Sequence, residues 1–234
     1  MNDTIEPKLK ENDSWKEMAL YYDERALEYD EIYSGGGPSF SDPDAYRKDV
    51  RQIISIAERF GKGSLIDLAC GTGFWFPFYS TNCNQITLLD QSKNMLRRCR
   101  ERVEKTGFAE RCTFILGNIF EVNLASNSFD SAVIGFLLSH LNRDYEFKLF
   151  QLVNRIMKPG AEILLIDSAW SDKRSRYRQK TGLQKRVLND GRAFCVPKRY
   201  FGKEEIEELL GKNSFHIRSH FFGDAFLAVI VIRR

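Results

Sequence analysis

The amino-acid sequence predicts an α/β fold: a doubly wound, seven-stranded sheet, mostly parallel, closed by an antiparallel C-terminal hairpin. Three observations carry this reading. First, "SLIDLAC" (64–70), "QITLLD" (85–90), "CTFILGN" (112–118), "FDSAVIGFLL" (129–138) and "AEILLIDS" (161–168) are apolar runs of strand length. They mostly lack polar alternation, as strands buried on both faces do. Second, 92–107 and 143–160 lie between such runs, have helical periodicity and end at Gly107 and at Pro159-Gly160; strands alternating with helices imply parallel βαβ units. Third, "FHIRS" (215–219) and "AFLAVIVI" (225–232) are separated by too few residues for a parallel crossover, so they pair antiparallel.

Taken in order, the chain begins with 14–33, where Trp15, Met18, Tyr22, Tyr29 and Tyr33 recur among charges at helical spacing. This predicts one or two amphipathic helices, with Ser14 available as N-cap. A flexible turn segment is expected over 34–44, then a helix over 44–60 stopped at Gly61. After the fifth strand comes a basic stretch, then a short acidic helix over 203–211 and the hairpin. With 43% hydrophobic residues in 234, a single domain is expected over 1–234. Its parts are an N-terminal helical segment (1–60), a core (61–170), a basic insertion (171–203), and the C-terminal helix and hairpin (204–234). The net charge of +3 is too small to indicate nucleic-acid binding by itself. Five scattered cysteines without a C-x-x-C pair support neither a zinc site nor a disulfide framework. No apolar leader opens the chain and no long apolar run interrupts it, so a cytoplasmic setting is expected.

The chemistry begins at "LIDLACGTGFWFPF" (65–78). Asp67 stands near the end of the first strand, and Gly71 and Gly73 permit turns and close approaches that a Cβ would block. A dinucleotide fingerprint G-x-G-x-x-G requires a third glycine at position 76, where the chain has Phe76, which disfavours NAD. Asp90 closes the second strand 23 positions after Asp67, where a carboxylate can accept from both hydroxyls of a ribose. Capping the helix that begins near Ser92 is its alternative role. After the third strand, "LGNIF" offers Asn118 to an adenine amino group and Ile119 to its ring face. The fourth strand runs into "GFLLSHLNRD", which brings Phe136, Ser139 and His140 to the same sheet edge.

"IDLACGTG", "LLDQSKNML", "LGNIF", "FDSAVIGFLLSHL" and "RIMKPGAEILLID", in this order and spacing, resemble the successive motifs of class I S-adenosylmethionine-dependent methyltransferases, a Rossmann-like family. The resemblance covers about residues 64–168, and the closing hairpin agrees with it. It implies S-adenosyl-L-methionine as cofactor and S-adenosyl-L-homocysteine as product. Ala69, Gly71 and Gly73 would contact the methionine and ribose portion, and Asp90 the ribose hydroxyls. Gln91 and Met95 would flank the adenine. Asn118 stands where the family commonly has Asp, and Asp67, Thr72, Ile119 and Phe136 complete the cofactor set. The segment around "YDEIY" resembles the N-terminal lid of the small-molecule branch. Tyr33 and Tyr46 match lid tyrosines near the methyl group or the cofactor carboxylate; packing the lid helix is an equal alternative.

A hydroxyl or ammonium acceptor requires a base. His140, one of three histidines, is the candidate, with a pKa expected near neutrality; capping a helix or pairing with Asp144 is its structural alternative. His216 and His220 are expected to be structural. Over 172–203 there are eleven Lys or Arg and two acidic residues. Three roles fit this excess: an anionic acceptor held by arginines such as Arg174, Arg178 or Arg192, a solvated face, or an RNA-binding surface. The chain lacks the Asp/Asn-Pro-Pro-aromatic run of nucleobase-amine enzymes and the Pro-Cys pair of cytosine-C5 enzymes. The leading reading is methyl transfer to N or O of a small metabolite, an anionic one included. An RNA or protein methyltransferase, a non-catalytic cofactor-binding protein and an NAD-dependent oxidoreductase follow it. No metal site and no membrane partner are expected.

Overall fold

The computed structural model describes residues 11–36 and 42–233. Part of the expected turn over 34–44 therefore lies outside the described residues. Five parallel strands, β1 (Ser64–Leu68), β2 (Gln85–Asp90), β3 (Cys112–Leu116), β4 (Phe129–Gly135) and β5 (Met157–Ser168), are joined by β8 (Phe215–Phe222) and β9 (Phe226–Arg233). The order is β3-β2-β1-β4-β5-β9-β8, and β9 runs antiparallel to both β5 and β8. The order reverses between β1 and β4, and the crevice at the carboxyl ends of these strands is where such sheets bind ligands.

The strands are apolar throughout because consecutive residues feed two different layers. In β1, Ile66 and Leu68 belong to one core cluster and Leu65 to the other; in β5, Ile163 and Leu165 face one layer while Leu164 and Ile166 face its opposite. Helices α5 (Lys93–Glu104) and α6 (Arg143–Ile156) connect β2 to β3 and β4 to β5. Each begins where expected from its sequence, since the side chain of Ser92 accepts from Met95 N and that of Asn142 from Tyr145 N.

Several boundaries differ from expectation for identifiable reasons. The helix expected to reach residue 160 ends at Ile156, and β5 starts at Met157, paired with Phe129. Pro159 disfavours a helical Lys158, so the chain extends before the Pro-Gly pair. The first and fourth strands stop early because Ala69 and Phe136 adopt left-handed φ values of 65° and 54°. Between β1 and β2 there are only the one-turn α4 (Phe76–Tyr79), with Phe76 and Tyr79 fully buried, and the 3-10 turn Ser80–Asn82.

The N-terminal segment forms α1 (Glu11–Glu24), the short α2 (Glu31–Ser34) and α3 (Pro43–Ala57). Because α1 starts at Glu11, Ser14 lies in its first turn instead of at its cap. The basic insertion, which carried no strand expectation, holds a one-turn helix α7 (Asp172–Ser175) and a two-stranded antiparallel sheet of β6 (Thr181–Val187) and β7 (Ala193–Arg199). The underside of α1 packs on this sheet: Met18 and Tyr21 are buried with Leu188, Phe194 and Val196. The acidic helix α8 (Lys203–Lys212) leads into the hairpin. Among the described residues no helix is long and apolar enough to cross a membrane.

Candidate active site

A cavity of about 240 Å³ opens at the carboxyl ends of β1, β2 and β4. Its floor is Ala69, Gly71, Asp90 and Gln91; Met95, Ile119 and Phe120 supply apolar walls, and Trp15, Met18, Tyr22 and Tyr29 of the N-terminal segment cover it. Two of the four non-glycine residues with positive φ among the described residues, Ala69 and Phe136, line it. Strain concentrated at a cleft is a mark of a functional site.

Asp90 organises this floor. Its Oδ2 accepts from Gly71 N at 2.8 Å and its Oδ1 from Ser92 N at 2.8 Å. Burial pushes its carboxyl up to about 6 against those backbone donors. Asp67, deeper and fully enclosed, is pushed by burial to about 7, while the Tyr79 hydroxyl donates to it at 2.7 Å. The N-terminal segment is fastened beside this floor. Asp23 of α1 accepts from Ser92 Oγ at 2.6 Å and from the backbone and side chain of Asn94 at 3.0 and 2.7 Å. Asp30 accepts from Thr72 Oγ1 at 2.5 Å and pairs with Arg102.

A second cavity, about 40 Å³, adjoins the first. Tyr22, Tyr29, Phe136 and His140 border both and form the neck between them. Beyond the neck the lining is basic: Arg25, Arg174, Arg178, Arg186 and Lys198, with Glu28 and Glu31 as its carboxylates.

His140 occupies the neck with both ring nitrogens engaged. Nδ1 lies 2.7 Å from the Pro197 carbonyl oxygen, which requires the proton to be on Nδ1. Nε2 is then an acceptor, and the Tyr22 hydroxyl donates to it at 2.7 Å. Lys198 Nζ stands 3.4 Å from the same nitrogen. Burial and the Lys198 charge hold the imidazole well below the ordinary histidine value. The expected near-neutral pKa is therefore replaced by a ring that stays neutral at physiological pH. Asp144 lies in the first turn of α6 and is not its partner.

Residues 65–160 match the family model described as a methyltransferase domain. Residues 65–160 thus carry a class I S-adenosylmethionine-dependent methyltransferase domain. A demethylmenaquinone methyltransferase of Listeria welshimeri is 31% identical over 128 residues, 53% of this chain and 51% of that protein. One from Staphylococcus aureus is 32% identical over 134 residues, 56% and 52% of the respective chains. The aligned part is thus about half the length of these relatives. Among solved structures, the complex of DhpI with SAM and HEP superposes with a TM-score of 0.75 at 22% identity, covering 97% of this chain and 100% of that one. The Burkholderia thailandensis 1,6-didemethyltoxoflavin-N1-methyltransferase, with 1,6-didemethyltoxoflavin and S-adenosylhomocysteine bound, gives 0.67 at 14%, covering 97% and 92%. These two likenesses establish the methyltransferase fold over nearly the whole chain.

Within the methyltransferase domain, Ala69, Gly71, Asp90, Gln91, Met95, Asn118, Ile119, Phe136 and His140 come together around the first cavity. Asn118 Oδ1 accepts from Phe120 N at 3.0 Å and keeps a lone pair for a second donor. Gly73 does not line the cavity; a Cβ there would stand 2.7 Å from Cys99 Sγ, so its glycine serves the packing of α5. Thr72 holds the N-terminal segment through Asp30, and Asp67 supports the floor from behind. Tyr46 faces the second cavity. Tyr33 reaches neither: it stacks on Phe74 at 3.8 Å between ring centroids and packs against Trp75, Phe136 and Phe226. Of the arginines singled out in the insertion, Arg174 and Arg178 line the second cavity, whereas Arg192 is exposed and pairs with Glu24 and Asp190.

Sequence reasoning missed Tyr22, Tyr29, Tyr145, Arg186 and Lys198 as site residues. The signal for Lys198 was present: it continues the alternation of buried Phe194 and Val196 along β7. Among the described residues no group of three or more His, Cys, Asp or Glu is arranged to hold a metal ion.

Proposed function

We propose that this protein transfers a methyl group from S-adenosylmethionine to N or O of a small metabolite bearing negative charge. The observation that carries the reading is the shared neck: a cavity with a nucleoside-like lining meets a basic cavity at Tyr22, Tyr29, Phe136 and His140.

The first cavity suits the cofactor. A buried carboxylate at Asp90 matches a diol, and Met95, Ile119 and Phe120 match an aromatic base. A Cβ on Gly71 would project toward the Tyr29 ring, 3.9 Å away, so the glycine leaves that space to a ligand. When bound, S-adenosylmethionine supplies a methyl group already activated by the positive charge on sulfur.

What the chain itself contributes is alignment, exclusion of water and a proton acceptor. Trp15, Met18, Tyr22 and Tyr29 cover the junction and keep water from it. His140, locked as the Nδ1–H tautomer by the Pro197 carbonyl, presents Nε2 toward the neck through the Tyr22 hydroxyl. Its low pKa makes it a weak base in the empty site, and an acceptor that brings negative charge beside Lys198 raises its basicity. A large RNA or protein partner is less well served, because Arg174 and Lys198, at 2% and 7% exposure, face inward.

The test pairs calorimetry with S-adenosylmethionine, S-adenosylhomocysteine and NADH with a metabolite screen for released S-adenosylhomocysteine. Binding of both sulfur compounds and turnover concentrated among anionic metabolites are expected. Binding of NADH alone, or turnover only on RNA or protein, overturns the proposal.

A further inference from the structure

The second cavity contains more positive charge than the fold neutralises. Arg174 is buried; its Nη2 donates to the Ala225 carbonyl at 2.7 Å and to the Tyr46 hydroxyl at 3.3 Å, while its Nε is buried without a partner. Its guanidinium lies 4.4 Å from the Tyr200 ring centroid. From β6, Arg186 Nη2 donates to the Tyr200 hydroxyl at 3.4 Å. From β7, Lys198 Nζ donates to Ser139 Oγ at 2.6 Å and stands 3.8 Å from Asp167. Among the described residues, the only carboxylate that faces Arg174, Arg186 or Lys198 within ion-pair distance is Asp167 behind Lys198. Two positive charges remain in excess. Glu28 and Glu31 are also turned to the rim, where Asn189 donates to both. Burying cations without counter-charge is costly, and an unsatisfied guanidinium N–H adds to that cost.

We propose that this cavity is a binding site for a tetrahedral oxyanion group carrying two negative charges, with Arg174, Arg186 and Lys198 as its cations. The proposal rests on the reading of the cavity as the acceptor chamber and specifies the acceptor as a phosphate monoester or phosphonate. The planar fork of Arg174 offers its free Nε to one oxygen, and Arg186 and Lys198 approach from the two strands of the insertion.

One consequence can be read spectroscopically. Tyr200 sits among the same cations, faced also by Trp170, by Tyr46 and by Gln184, whose Oε1 accepts from its hydroxyl at 2.9 Å. Burial raises its pKa, yet Arg186, Arg174 and Lys198 outweigh burial and bring it down to about 8. Burial likewise lowers Lys198 to about 8 against the pull of Asp167. An entering dianion reverses the field at both, so both take up protons, and affinity for a dianion of fixed charge falls as pH rises through about 8. Only the tyrosine gives an ultraviolet signal.

The experiment titrates the cofactor-free protein with sodium sulfate and, separately, sodium acetate by calorimetry. The tyrosinate band is followed above the Tyr200 value. Expected are saturable sulfate binding about tenfold tighter than acetate, a loss of about tenfold in Arg174→Gln, and no change in Arg192→Ala. A tyrosinate band that shrinks as sulfate is added and is absent from Tyr200→Phe completes the expectation. Sulfate no tighter than acetate, equal losses in the two arginine variants, or a tyrosinate band that ignores sulfate overturns the site. The wild-type titrations decide the matter even if Arg174→Gln does not fold. Inorganic phosphate that binds the cavity and competes with a turned-over phosphorylated or phosphonate acceptor assigns the site to that acceptor. Phosphate binding beside turnover of an uncharged acceptor, without competition, overturns the assignment. Turnover of an uncharged acceptor without sulfate binding removes the oxyanion site and leaves methyl transfer standing.

Discussion

The first cavity takes its floor from the carboxyl ends of β1, β2 and β4 and the turns that follow them, whereas the basic cavity is gathered from α1, α3, α7, β6 and β7. Their electrostatics are opposed. In the first, burial raises the carboxyls of Asp67 and Asp90; in the second, it lowers Lys198 and His140. In each, burial disfavours the charged form of the groups named. The two cavities share four side chains, with His140 at the boundary.

Substitutions at the boundary and on either side test whether the two halves are separable. The largest effect is expected at the neck: His140→Ala should slow turnover of an identified acceptor by about a hundredfold while S-adenosylmethionine affinity stays nearly constant. Equal turnover would return His140 to a purely structural role. Next, Asp90→Ala should weaken cofactor binding by about 1–3 kcal/mol in calorimetry and leave sulfate binding unaltered; parallel losses would mean that the cavities are not independent. The same residue sets a pH dependence. Its carboxyl is raised to about 6 in the folded protein, and ribose hydroxyls donate to the ionised form, so binding releases a proton. Cofactor affinity should therefore fall as pH drops through about 6, and Asp90→Asn should flatten that profile. The smallest effect is expected from Tyr22→Phe, which removes one hydrogen bond to His140: about a fivefold loss of turnover with cofactor affinity kept. A loss as large as that of His140→Ala would assign Tyr22 a direct part in moving the proton.

The same contrast explains what could be read from the sequence. The sheet, its closing hairpin and nine residues that line the first cavity were legible because each motif occupies a few consecutive residues at a strand end. The strand order then brings those ends together without further information. The basic cavity has no such economy. In β7 the alternation of Phe194, Val196 and Lys198 is a strand signal, but it lies within a run of charges that reads equally as a solvated face. Among the tyrosines of 14–33, spacing does not distinguish Tyr22, which reaches His140, from Tyr33, which stacks on Phe74. Their separation follows from the end of α1 at Glu24 and the turn after it, and from how α1 docks on the β6–β7 sheet. The motif resemblance implies a ligand-facing Gly73, and only the position of Cys99 reveals its packing role.

The fastening of α1 by Asp23 has a kinetic consequence. Ser92 donates its backbone N–H to Asp90 and its hydroxyl to Asp23, so one serine joins the cavity floor to its cover. The same helix supplies Tyr22 to both cavities. Displacing α1 would therefore uncover both cavities together, and three hydrogen bonds at Asp23 oppose that displacement.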